Sequence, residues 1–174
     1  DYGRKADGTK GYAARETYES ESTYKLYLVP VEQDNGGNKP DDSQEIVQND
    51  KVKVDKSSKK VTTVPNATGN DLDNLIGGNV AVKNSNGQVI NLADKLATGY
   101  TINDTYTVAV LGDVNGDGES DAIDLLLIKR RLLGTQEFDE LKGNAADLNK
   151  DGVVDAIDLL LQKRYLLGTQ NINI

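Results

Sequence analysis

The stretch DVNGDGESDAIDLLLIKRRLLGTQ, residues 113–136, returns thirty-four residues later as DLNKDGVVDAIDLLLQKRYLLGTQ, residues 147–170. The two match at 18 of 24 positions without a gap. Near-identical copies take up the same local structure. Each is too short to bury a core alone, so each must bury its apolar face against a neighbour. The copying runs past the acidic part into a block of leucines and a Lys-Arg pair, which no acidic loop requires.

In the first copy, oxygen-bearing side chains fall at loop positions 1, 3, 5, 9 and 12: Asp113, Asn115, Asp117, Asp121 and Asp124. The second copy repeats them as Asp147, Asn149, Asp151, Asp155 and Asp158, and position 6 is glycine both times, Gly118 and Gly152. Calcium is a hard cation that takes roughly six to eight oxygen ligands. A twelve-residue loop supplies them by turning alternate side chains inward, bending at the glycine and offering a main-chain carbonyl at position 7. That carbonyl belongs to Glu119 in one loop and Val153 in the other, where the side chain is immaterial. Position 12 is Asp rather than the usual Glu, which shortens the chelating arm. A phosphate loop is excluded because no GK[ST] follows these glycines, and acids at this spacing would repel one another without a metal. Calcium binding and folding over residues 112–170 are therefore expected to be strongly coupled.

The helix expected after each loop carries two apolar stripes. Leu125, Ile128 and Leu132 form one, suited to packing on the partner helix. The second joins Ala122, Ile123, Leu126 and Leu133 to Lys129 and Arg130, and recurs as Ala156, Ile157, Leu160 and Leu167 with Lys163 and Arg164. The six differences between copies (Val114/Leu148, Gly116/Lys150, Glu119/Val153, Ser120/Val154, Ile128/Gln162, Arg131/Tyr165) all lie off this second stripe. A Leu/Ala patch with a cationic rim reads as a protein-docking surface, and two equal copies imply two equal ways to dock. Packing of the stripe inside the domain or against the preceding module is the alternative.

A net charge of −8 argues against nucleic acid or an anionic membrane as partner. With no Cys and no His, thiolate chemistry, disulfides and the commonest general base are absent. No apolar run approaches the ~20 residues of a membrane span. With no Met in the sequence, residue 1 is not expected to be a natural start, and the chain is expected to be cut from a longer one.

Residues 1–49 read as an upstream tail or linker, with one strand-like stretch over 23–31 and a loop over 33–42. Residues 50–111 read as a small β-rich α+β module. Strands are expected at KVKV and KKVTTV, a short helix over 66–78 closed by Gly77-Gly78, a hairpin over 80–90 turning at Asn86-Gly87, and one or two strands in 100–112.

Residues 112–170 resemble a dockerin module. The paired DxNxDGxxDAID loops, the helix after each, the LLLxKRxLLG segments and the spacing of the copies carry the resemblance. An EF-hand has a helix on both sides of its loop, whereas the residues before Asp113 read as strand. The resemblance implies an α+β chain: the β-rich module, resembling the small modules that often precede dockerins, then an all-α dockerin of two calcium loop-helix repeats over 112–174. It implies two Ca²⁺ ions and a cohesin on a scaffold protein as partner. The contacts would run through Ala122, Ile123, Leu126, Lys129, Arg130 and Leu133, or through Ala156, Ile157, Leu160, Lys163, Arg164 and Leu167. The expected role is non-catalytic: a module, monomeric when free, anchoring a secreted, polysaccharide-degrading protein. A calcium-stabilised structural clamp or adhesin module is the alternative. An intracellular calcium sensor would use a Met-rich groove, and the chain has no Met.

Overall fold

A computed structural model of the chain describes residues 12–17, 25–30, 46–72, 75–76 and 79–174. The chain divides into two compact units, residues 1–40 and 41–174. In the first, β1 (Tyr12–Thr17) pairs antiparallel with β2 (Lys25–Pro30), Tyr12 opposite Pro30. The strand expected over 23–31 is β2, and Pro30, which lacks a ladder donor, is its last residue. Its partner β1 was not anticipated, and the loop expected at 33–42 lies outside the described residues.

In the second unit, β3 (Ile46–Gln48), β4 (Val52–Asp55), β5 (Lys60–Thr63), β6 (Val82–Lys83), β7 (Thr101–Ile102) and β8 (Tyr106–Val110) form one sheet in the order β3-β4-β5-β8-β7-β6. Neighbours are antiparallel except β5 and β8, which run parallel with Lys60 opposite Thr107. Alternation does what it should: Val52, Val54, Val61 and Thr63 are buried, and the residues between them are half-buried. The β4–β5 turn is fixed by Asp55, whose Oδ1 accepts from Ser57 N, Ser57 Oγ and Ser58 N. The Ser57 hydroxyl leads in holding that carboxyl well below its ordinary value.

The hairpin over 80–90 is present. Lys83 lies opposite Val89, and Asn84 N donates to Gln88 O at 2.9 Å. Gly87, at φ 77°, supplies the left-handed residue of its three-residue connection. The helix expected over 66–78 is instead a 3₁₀ turn, Gly69–Leu72. Its backbone is diverted: Asn70 N donates to Leu92 O, and Asp71 Oδ2 takes Thr68 N and Oγ1. Leu72, Leu75 and Ile76 are nonetheless buried together, while Gly77-Gly78 lies outside the described residues.

Three helices follow, making the chain α+β overall: α1 (Ala122–Leu132), α2 (Glu140–Ala146) and α3 (Ala156–Leu166). α1 packs on α3, and α2 lies on β8. The helical part thus holds a third helix beyond the two expected. Gly143 and Asn144 hide α2 in the sequence, and the Asp139 carboxylate, accepting from Lys142 N at 2.8 Å, starts it.

Two apolar clusters fill the unit, and they divide between consecutive residues. Val110 belongs to the sheet's cluster, Leu111 to that of the helices. The C-terminal NINI folds back into the second cluster, with Ile172 buried, Ile174 beside it, and Asn173 O accepting from Lys150 Nζ at 2.8 Å.

Candidate metal-binding loops and docking faces

Each helix begins on its own loop. Asp121 caps α1 by accepting from Ile123 N at 2.7 Å, and Asp124 answers by accepting from Asp121 N at 2.9 Å. Asp155 and Asp158 repeat this capping box on α3 at 2.6 and 2.8 Å. The carboxylates at positions 9 and 12 therefore orient the helix as well as the loop. Asp124 Oδ1 also takes Val114 N at 2.9 Å and Asn115 N at 3.0 Å, closing the loop's start onto its end. Asp158 Oδ1 does the same for Leu148 N at 2.8 Å and Asn149 N at 3.2 Å.

That bond set turns Asp124 and Asp158 inward and fixes the rotation of both helices. The inner stripe of α1 consequently runs Asp124, Leu127, Ile128, Arg131, and not Leu125, Ile128, Leu132 as the leucine pattern suggested. Ile128 is fully buried, Leu127 packs on the core, and Leu132 is 37% exposed. In α3, Asp158, Leu161, Gln162 and Tyr165 take the same places, with Asp158 and Gln162 buried.

Burial pushes the carboxyls of Asp113, Asp124 and Asp158 above their ordinary values, against the N–H groups that favour the charged form. A neighbouring carboxylate adds to each shift: Asp117 for Asp113, Asp113 for Asp124, Asp147 for Asp158. These are acids crowded where anions are unfavourable, which is the chemistry a bound cation relieves. Among the described residues no three acidic side chains close on one point. The expected donor set also includes Asn115 or Asn149 and a main-chain carbonyl, all hard oxygens suited to Ca²⁺. The bend at position 6 is present in both loops, with φ 85° at Gly118 and 89° at Gly152. The residues fit the ion.

The two loops differ in what they touch. Asp113 is fully buried and accepts four main-chain N–H groups: Gly116 at 2.8 Å and Asp117 at 3.1 Å on Oδ1, Gly118 at 3.1 Å and Thr98 at 2.9 Å on Oδ2. Thr98 belongs to the sheet's half of the unit. Asp147 takes Asp151 N at 3.2 Å and Gly152 N at 2.8 Å. Gly116 sits so close to that half that a Cβ on it would stand 2.8 Å from Thr98 O, while Lys150 at the same loop position reaches the C-terminal tail. Glu119 pairs with Lys95 at 2.7 Å, while its counterpart Val153 is exposed. Ser120 accepts from the buried Gln162, whereas Val154 and Ile128, their counterparts across the pseudo-twofold, pack in the apolar cluster. The differences between the copies were the signal for these contacts, which sequence reasoning did not reach.

The second stripe is exposed at all twelve positions: Ala122, Ile123, Leu126, Lys129, Arg130 and Leu133, and Ala156, Ile157, Leu160, Lys163, Arg164 and Leu167. Exposure matches across the copies: 54% and 51% for the isoleucines, 45% and 45% for Leu126 and Leu160, 68% and 66% for Leu133 and Leu167. No described helix is long and apolar enough to cross a membrane. No match to the chain was found among curated proteins. Residues 111–167, a third of the chain, match the family model of the dockerin type I domain; dockerin domains are non-catalytic docking modules that bind calcium, and such a match implies a cohesin as partner.

Proposed function

We propose that residues 112–174 hold two calcium ions, one in each loop, and anchor a secreted, polysaccharide-degrading protein to a cohesin on a scaffold. Asp113, Asn115, Asp117, Asp121 and Asp124, with the Glu119 carbonyl, hold the first ion. Asp147, Asn149, Asp151, Asp155 and Asp158, with the Val153 carbonyl, hold the second. Docking uses either the α1 face or the α3 face, the module turning through its pseudo-twofold to present one or the other.

The observation carrying this reading is the pair of exposed, residue-for-residue matched faces. Leucine and isoleucine side chains left in water cost solubility, and the chain exposes the same set twice in a domain whose interior has diverged. Apolar centres rimmed by Lys and Arg suit a partner surface with an apolar centre and acidic edges. Calcium orients the faces, because the position 9 and 12 carboxylates that cap each helix are also ligands. Millimolar extracellular calcium would keep even moderate sites filled.

The test is calorimetric titration of the chain into a panel of cohesins, in millimolar calcium and then in EDTA. Saturable one-to-one binding in calcium, lost in EDTA, is expected. Binding to no cohesin, or binding indifferent to EDTA, defeats the docking reading.

A further inference from the structure

The loops have kept their ligand residues but acquired different surroundings, and all the differences point one way. Loop one is braced by the sheet: Thr98 N holds Asp113 Oδ2 at 2.9 Å from outside the loop, and Lys95 holds Glu119 at 2.7 Å. Gly116 lets the Thr98 carbonyl approach to a distance a side chain would block. Residues 113–124 carry five acidic side chains and no basic one, net −5, whereas residues 147–158 carry four and Lys150, net −3. In loop two the chain places a cation of its own, Lys150, between the ligand residues Asn149 and Asp151, its Nζ donating to Asn173 O at 2.8 Å.

We propose that Thr98, Lys95 and Gly116 are positioning residues for the first loop, making it the tighter calcium site and linking its filling to the stability of the sheet. Loop two is the weaker site and empties first. The inference rests on the calcium reading above.

The physical argument is outer-sphere support. A metal ligand whose plane is fixed by a second donor loses less freedom on binding, and removing such a donor typically costs about 10–100-fold in affinity. Thr98 fixes Asp113 through its main chain while its side chain is bound into the sheet: Oγ1 accepts from Val110 N at 3.0 Å. The carboxylate, Thr98 and β8 thus form one hydrogen-bonded chain. An ion that draws Asp113 into place draws on the sheet through the same bonds, and linkage makes the effect reciprocal.

The experiment is a calcium titration of the full chain followed by NMR and by amide hydrogen exchange. The amides of Gly118 and Gly152, each bonded to its own loop's first aspartate, report the two sites separately. Gly118 should shift at a calcium concentration at least tenfold below Gly152. Protection of amides over residues 96–111 should rise along the Gly118 curve and not the Gly152 curve.

Gly116→Lys places in loop one the residue that loop two accommodates at φ 63°, so the loop itself tolerates it and only the approach of Thr98 is blocked. It should weaken the Gly118 transition about tenfold or more and uncouple the sheet amides from it. Lys150→Gly should leave the Gly118 transition where it is and tighten the Gly152 transition. Should Gly116→Lys not fold, Lys95→Ala, at a half-exposed ion pair, should weaken the Gly118 transition alone by a few-fold. Equal midpoints, a first site tightened by Gly116→Lys, or sheet amides indifferent to calcium would overturn the inference and leave the calcium reading intact. No shift of either glycine at millimolar calcium would sink both.

Discussion

The side-chain amide of Gln162 in α3 donates to Ser120 Oγ in loop one at 3.0 Å and to Gly112 O at 3.2 Å, wholly out of solvent. It is a polar clasp where the opposite side of the pseudo-twofold has Ile128 and Val154. Gln162→Ile alone should strip a half-buried hydroxyl and a buried carbonyl of their donor, costing about 1–3 kcal/mol. The double change Ser120→Val with Gln162→Ile copies the apolar side and should restore a good part of that loss. Urea unfolding in calcium measures both, and a double variant no better than the single would show that the two residues are not coupled.

Calcium removal should loosen the helical half first. EDTA should lower far-UV helical signal and open residues 112–170 to protease, because the caps of α1 and α3 are built on loop carboxylates. An unchanged spectrum and digestion pattern would count against calcium as a structural component.

Acid should narrow the difference calcium makes. The carboxyls of Asp113, Asp124 and Asp158 are raised above their ordinary values by burial, so in the calcium-free fold their charge is a penalty at neutral pH. That penalty is relieved as pH falls through the raised values, and no further gain comes below the unfolded value. The calcium-free protein should gain stability on mild acidification, while the calcium form loses it as protons compete for the ligands. Melting temperatures with and without calcium, at pH 7 and near pH 5, should converge. A gap that widens on acidification would contradict this account.

Changes to the docking faces separate one mode from two. Converting Ala122-Ile123 to a charged pair should reduce cohesin affinity only about twofold, roughly 0.4 kcal/mol, since half the orientations survive. Converting Ala156-Ile157 as well should abolish binding. A large loss from the first pair alone would mean that one face carries the interaction.

The tail has a measurable role too. Ile172 is buried beside the helices, so Ile172→Ala should cost about 2–4 kcal/mol, less if the short tail relaxes into the gap. Thermal unfolding in calcium checks it, and an unchanged midpoint would mean that the tail merely rests on the surface.

The helices after each loop were legible because two copies agree on capping, leucines and length. Their rotation was not, since Asp124 and Asp158 turn inward through bonds to loop backbone that no hydrophobic count includes. α2 was missed because Gly143 and Asn144 interrupt a seven-residue helix secured by its cap and by β8. The 3₁₀ turn at Gly69–Leu72 passed for a helix because its apolar residues are spaced alike, while the N–H of Asn70 goes to Leu92 O and that of Asp71 only three residues back, to Thr68 O. Candidate ligands and face residues were readable as residue types at a spacing. The reach of Thr98 to Asp113 was not, for it joins positions fifteen apart through a main-chain group that every residue but proline possesses.

One further consequence follows from β5 and β8 lying side by side in parallel. Contacts such as Lys60 with Thr107 cannot form until a long intervening segment has been looped back, and such closures slow refolding. The strand awaited is also the one that leads into the first loop. Completion of the sheet is therefore timed by the arrival of the repeat's threshold, and a refolding trace should show the β signal lagging behind the helical one.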